Sequence, residues 1–204
     1  MGTDYTKKKK TLTPLFYERD DVVQIAKELI GKMLFSMIDK KLTGGIIIET
    51  EAYRGAEDRA CHAYNNRRTK RTEVMFQKGG IAYVYLCYGI HPLLNIVTNT
   101  AEIPHAVLIR ALSPTHGLEI MKTRRRHKDN LCTGPGNLTQ ALGITLKHNG
   151  LPLNQPPLWL EESAISIREN QIISTPRIGV EYAQEHALLP WRFSLASSLC
   201  IRYK

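Results

Sequence analysis

The sequence predicts one domain of the α/β class, of the α+β type, built on a mixed or antiparallel sheet. Three observations lead there. The chain has 204 residues, a length at which one hydrophobic core buries about 70% of the surface that the unfolded chain exposes. Apolar positions recur at helical spacing in a few short stretches and alternate as in strands in most others, with Gly and Pro between them. No internal repeat, low-complexity linker or shift of composition divides the chain. A hydrophobic content of 43% with 23% charged residues excludes collagen-like, disordered and mucin-like classes.

The elements follow in order. Residues 1–13 read as a flexible basic arm, because the Lys7–Lys10 block cannot pack, and residues 14–204 form the domain. Asp20 or Asp21 caps a helix carrying Val22, Ile25, Ala26, Leu29 and Ile30 on one face, and Gly31 stops it. Met33–Ile38 and Ile46–Tyr53 read as strands with 39–45 as their turn, and residues 54–72 as a long polar loop. Ile81–Tyr88 and Leu93–Thr98 form a hairpin whose four-residue tip is Gly89-Ile90-His91-Pro92. Val107–Leu112 is a further strand, and Ser113-Pro114 is expected to open a helix running to about Arg126. Gly134-Pro135-Gly136 introduces another helix near Leu138–Leu142, and short strands follow from Trp159 to the end.

The charge sum narrows the partner class. Twenty-eight Lys and Arg against nineteen Asp and Glu leave a net charge of +9, concentrated in three clusters: Lys7–Lys10, Arg67 to Arg71, and Lys122 to Lys128. Local fields of one sign suit a polyanion, so nucleic acid leads, with solvated helix faces as the plain alternative. Cys61, Cys87, Cys132 and Cys200 form no C-x-x-C pair, so reduced thiols are expected. A polar N-terminus and the lack of a long apolar run point to an intracellular protein, cytoplasmic at a bacterial nucleoid or nuclear in a eukaryote, with no membrane partner.

Two constellations could carry chemistry. In an extended Ile46–Tyr53 segment, alternation puts Glu49, Glu51 and Tyr53 on one face and Ile48, Thr50 and Ala52 on the other. Buried in a pocket, one of these carboxylates would be a general base, while a half-exposed strand facing solvent gives the same pattern. The pattern does not separate Glu49 from Glu51. In the hairpin, Tyr83, Tyr85 and Cys87 share a face and Tyr88 stands beside the turn, where an aromatic has least core to join. Aromatics near arginines suit base stacking, although β-propensity alone also favours them. The seven histidines show no zinc spacing, Cys61-His62 are chain neighbours on opposite faces, and phosphate-loop, dinucleotide and serine-hydrolase motifs are missing. No metal or cofactor is expected.

Ile48-Glu49-Thr50-Glu51-Ala52-Tyr53, His62-Ala63, Arg71, Met75-Phe76, Tyr83-Val84-Tyr85-x-x-Tyr88-Gly89 and Asn95 occur in that order. Leu108-Ile109-Arg110-Ala111-Leu112, Leu131-Cys132-x-Gly134-Pro135 and Pro176-Arg177-Ile178-Gly179-Val180 follow. Together these resemble the alkyladenine (3-methyladenine) DNA glycosylase family from about residue 14 to residue 196. The resemblance implies a curved antiparallel sheet with a protruding hairpin. It implies a monomeric, monofunctional hydrolase that cuts the N-glycosidic bond of alkylated purines (3-methyladenine, 7-methylguanine), and by extension deaminated ones, in double-stranded DNA.

It also implies roles. Glu51 matches the general base, Glu49 a supporting position, Arg110 a holder of the attacking water, and Val180 the main-chain carbonyl that completes its site. Tyr53, His62 and Tyr85 match the pocket that stacks an extruded base, Asn95 a reader of base edges, and Tyr88 the wedge entering the duplex. Arg67, Thr69, Arg71, Met75, Ile90 and His91 match surrounding DNA contacts. The chain departs from the family at Arg71-Thr72, at Lys78-Gly79-Gly80 and at His91-Pro92-Leu93-Leu94, which bears on phosphate contacts and base selectivity. A non-catalytic nucleic-acid-binding domain of the same fold is the alternative, and a small-molecule hydrolase or transferase a third reading.

Overall fold

Alternation along the strands gives the sheet two faces of different chemistry. In the computed structural model, which describes residues 11–196, the strands are β1 (Met33–Ile38), β2 (Lys41–Tyr53), β3 (Ala82–Cys87), β4 (His91–Thr98), β5 (His105–His116), β6 (Asn154–Gln155), β7 (Leu158–Glu161), β8 (Ile172–Thr175) and β9 (Arg192–Leu195). Their order is β3-β4-β5-β2-β1-β7-β6, with β9 joining β2 and β8 joining β9. Every pairing among the described residues is antiparallel, which resolves the mixed-or-antiparallel expectation. Register shifts between β2 and β5 help to curl the sheet.

One face meets the helices. Ala82, Val84, Leu94, Ile96, Val107, Ile109 and Ala52 share a core with Tyr17 of α1 (Pro14–Tyr17), with Val22, Ile25, Ala26 and Leu29 of α2 (Val22–Leu29) and with Leu138, Ala141 and Leu142 of α4 (Pro135–Leu142). Asp21 caps α2 as expected, accepting from the Gln24 N–H at 3.0 Å. Pro135 sits in the first turn of α4. The opposite face carries Tyr83, Val97 and Ala106, which pack with Cys61, Ala63, Met75 and Phe76 from the loop between β2 and β3. Among the described residues, no helix is long and apolar enough to cross a membrane.

Several sequence expectations need correction. The β1–β2 turn is Asp39-Lys40, both with positive φ, and β2 begins at Lys41 instead of Ile46. Gly44 and Gly45 lie inside the strand because neighbours crowd them: a Cβ on Gly44 would meet the Phe35 ring at 2.5 Å, and one on Gly45 the Ser113 carbonyl at 2.4 Å. Ile47, and not Ile48, joins Ala52 in the core, since irregular pairing at 47–50 breaks the strict alternation. The hairpin tip is Tyr88-Gly89-Ile90, because His91 and Pro92 already pair with Cys87 and Leu86. Ser113-Pro114 extends β5, with Pro114 opposite Gly45 at a bulge where its missing N–H is tolerated. The helix starts only after Gly117, as α3 (Leu118–Arg124).

Of the residues assigned to the arm, Leu12 is buried and its N–H donates to Leu160 O, and Thr11 bridges to Glu161, so these two are tied to the sheet. The Lys7–Lys10 block lies outside the described residues, as does Cys200.

Candidate active site

On the face away from the helices, a cavity of about 290 Å³ opens between the hairpin and two loops. Its floor is sheet: Tyr83, Tyr85 and Cys87 of β3, Leu93 and Asn95 of β4, and Ala106, Leu108 and Arg110 of β5, alternate residues on each strand. One wall is Ala60, Cys61, His62 and Met75, and the facing wall is Ile178, Gly179, Val180 and Tyr182. A larger groove of about 550 Å³ runs between α2 and residues 162–172. It is lined by isoleucines and by small, polar and charged residues, with no aromatic among them, and the Lys32–Glu162 ion pair stands at it, so it offers no aromatic enclosure.

Behind the floor lies Glu51, with no exposed surface. One carboxylate oxygen accepts the Ile178 N–H at 2.9 Å and stands 3.2 Å from Arg110 Nη1, and the other accepts the Tyr53 hydroxyl at 2.8 Å. Glu49, partly exposed, takes Arg110 Nε and Arg192 Nη1 on one oxygen, each at 3.0 Å. The two carboxylates that the sequence left indistinct are therefore separated by burial. Desolvation opposes the charge on Arg110, but Glu51 and Glu49 outweigh it and raise its pKa. Burial, reinforced by the Glu51 charge, holds Tyr53 well above the usual tyrosine range, so it stays a hydroxyl donor.

His62, Tyr83 and Tyr85 form an aromatic corner. Tyr83 and Tyr85 stack at 5.5 Å between centroids, and His62 stands edge-on to Tyr85 at 4.6 Å with Nδ1 2.8 Å from the Tyr83 hydroxyl. Burial, with the Arg71 and Arg67 charges, pushes His62 down to about 4, leaving a neutral ring. Cys61, pushed up to about 12 by burial, stays a thiol and offers no nucleophile. Asn95 is buried and donates from Nδ2 to the Tyr83 carbonyl at 3.2 Å. The Val180 carbonyl accepts the Ala183 N–H at 2.8 Å, which leaves its second lone pair.

Around the mouth, Tyr88 is 89% exposed, and Ile90, His91, Arg67, Thr69 and Arg71 are also on the surface. Met75, matched to a DNA contact, is a buried side chain of the cavity wall. Thr72 is buried, its hydroxyl donating to the Arg67 carbonyl at 2.9 Å, so this departure braces the loop. The basic clusters are partly spent on structure. Arg68 is held by Glu73 and Glu102, Arg124 turns inward to carbonyls of Ala141 and Ile38, and buried Arg125 binds Gln140 and the Asn130 carbonyl.

Sequence reasoning passed over Arg177, Asp58 and Tyr182. Arg177 and Asp58 form an ion pair with fully buried side chains, and Tyr182 donates its hydroxyl to Ala60 O at 3.1 Å across the cavity mouth. Arg177 lies inside the Pro176-Arg177-Ile178-Gly179-Val180 motif, but nothing in its spacing reveals a partner 119 positions away.

The comparisons agree with one another. The sequence pattern of the family described as Methylpurine-DNA glycosylase matches residues 15–199. A Chlamydia felis protein is 50% identical over 184 residues, covering 88% of this chain and 93% of its own. One from Chlamydia pneumoniae is 48% identical over 185 residues, covering 89% and 93%, and one from Bacillus cereus 45% over 192 residues, covering 88% and 93%. All three carry the name "Putative 3-methyladenine DNA glycosylase". A match along nearly the whole length, on a chain whose aromatic cavity backs onto a buried carboxylate, shows that this protein belongs to the methylpurine-DNA glycosylase family.

Proposed function

We propose that the protein excises alkylated purines, 3-methyladenine and 7-methylguanine among them, and deaminated purines from double-stranded DNA by water attack at the sugar C1′. The observation that carries this reading is Glu51, a carboxylate without exposed surface placed directly behind an aromatic cavity. A base inside a duplex is out of reach of any such group, so the nucleotide must be extruded, at a cost of a few kcal/mol that is lower for a damaged base. Tyr88 would fill the gap left in the duplex, and Tyr53, His62 and Tyr85 would enclose the base. N-alkylation puts positive charge on the purine, which electron-rich rings attract and which weakens the glycosidic bond.

Glu51 then has two tasks: its charge opposes the positive charge growing on the sugar, and its free lone pair orients and deprotonates water. Tyr53, Ile178 and Arg110 occupy three of about four acceptor positions on the carboxylate. Glu51 has no exposed surface, so water would reach that fourth position only with a slight shift of the surrounding groups. Arg110 and the Val180 carbonyl would hold the water. Among the described residues the cavity lining contains no lysine, which favours a hydrolytic route over an imine.

Incubation with methylated duplex DNA should release methylated purines and leave an abasic strand. Glu51→Gln should keep the fold and lesion affinity but slow single-turnover excision by about 10²–10⁴. Glu49→Gln, at a carboxylate that anchors Arg110 and Arg192 and does not face the reacting sugar, should cost much less. Full activity in Glu51→Gln would refute this mechanism.

A further inference from the structure

We infer that the buried Arg177–Asp58 ion pair is a positioning device for Glu51, setting three of the parts that fix its carboxylate and leaving Arg110 as the fourth. This rests on the reading of Glu51 as the general base. Arg177 Nη1 donates to the Ala52 carbonyl at 2.9 Å, gripping the strand between Glu51 and Tyr53. Its guanidinium carbon lies 4.8 Å from the centroid of the Tyr53 ring, whose hydroxyl donates to Glu51. Its chain neighbour Ile178 supplies the N–H on the other Glu51 oxygen. One side chain thus governs the strand, the hydroxyl donor and the amide donor.

Asp58 ties this hub to the cavity wall. Its carboxylate takes both terminal nitrogens of Arg177, one at 2.9 Å, and accepts N–H groups of Arg54 and Ala60 at 3.2 and 3.0 Å. The loop carrying His62 is therefore pinned to the loop carrying Ile178 and Val180. Arg177 Nη2 also donates to the His186 carbonyl at 3.1 Å, beyond the last residue of that second wall.

Stability is a poor reason for the arrangement. Desolvating two charges offsets most of their attraction, and well-packed apolar replacements for buried pairs are often as stable. An apolar pair could fill the space but could not hold a strand carbonyl, a loop carboxylate and a ring face in one geometry. A misplacement of about 1 Å at a reacting group costs about 10²-fold in rate, which sets the expected effect.

Arg177→Lys retains the charge but cannot reach Ala52, both Asp58 oxygens and His186 together, and Asp58→Asn retains the shape without the charge. Each should bind duplex containing an uncleavable abasic analogue within about threefold of the parent while single-turnover release of 7-methylguanine falls by about 10²-fold. If one variant fails to fold, the other carries the test. The decisive reading is a double-mutant cycle with Glu51→Gln: acting through Glu51, the second substitution should slow the residual reaction by less than about threefold. Wild-type excision in the two variants, or an equal further loss in the Glu51→Gln background, would overturn the positioning role and leave Glu51 as the base. Full activity of Glu51→Gln alone would remove both.

Discussion

Tyr88 stands at φ +50 on the hairpin tip with 89% of its surface exposed, a combination that folding alone does not favour. A left-handed backbone costs a non-glycine residue about 1–2 kcal/mol, and an exposed ring recovers little of it in the free protein. Tyr88→Ala should therefore leave the melting temperature nearly unchanged. It should weaken lesion-specific binding by about 1–3 kcal/mol through lost stacking, with nonspecific binding unaffected. A large thermal loss without a selective loss of lesion binding would mark Tyr88 as structural. His62 makes a different residue-scale prediction. Its pKa falls from about 6.5 unfolded to about 4 folded, so the unfolded chain takes up the proton first as pH drops. Its contribution is nil above pH 6.5 and becomes destabilising toward pH 4, by at most about 3 kcal/mol. Urea unfolding at pH 7 and pH 4.5 should show this loss shrink in His62→Gln; equal losses in both proteins would contradict it.

At the scale of elements, tight local geometry sets the register that aligns the site. The Asp39-Lys40 turn places two non-glycine residues in left-handed conformations, which match the twist of a two-residue hairpin at some local cost. Lys40→Gly should relieve part of that cost, adding about 0.5–1 kcal/mol and raising the melting temperature by about 1–4 °C. A lower melting temperature would show that the lysine contributes contacts worth more than the strain. The turn matters beyond itself, because it starts the pairing of β1 with β2 that runs unbroken from Ile38↔Lys41 to Met33↔Ile46. Farther along β2, the irregular pairing at 47–50 sets which residues turn toward the helices and leaves Glu51 and Tyr53 on the cavity side.

Across the whole molecule, the net charge of +9 overstates what a duplex would meet. Arg68, Arg124 and Arg125 are engaged by carboxylates, carbonyls or an amide, whereas Arg67, Lys70 and Arg71 are exposed beside the cavity. Removing one phosphate contact should lower the salt slope of log K by about 0.9. Arg71→Ala should do so, measured by titration between 50 and 200 mM salt. Arg125→Ala should leave the slope as it is and lower the melting temperature, because it strands Gln140 and the Asn130 carbonyl. The opposite pattern would assign the binding surface to the loop after α3.

The sequence by itself determined α2, β1, the hairpin strands and α4 closely, since each is written in local periodicity, a cap or a proline. It also marked out Glu49, Glu51 and Tyr53 as one face, and motif order indicated the family. Other features depended on residues distant in the chain. Pro114 sits in a strand because Gly45 leaves room opposite it, and Arg124 and Arg125 turn inward because α4 brings acceptors to them. Glu51 is told apart from Glu49 by burial behind a loop that arrives 127 positions later, and Arg177 finds Asp58 across 119 positions. Local periodicity describes how a segment meets a core, but only chain closure decides which charges lose their water and which partners replace it.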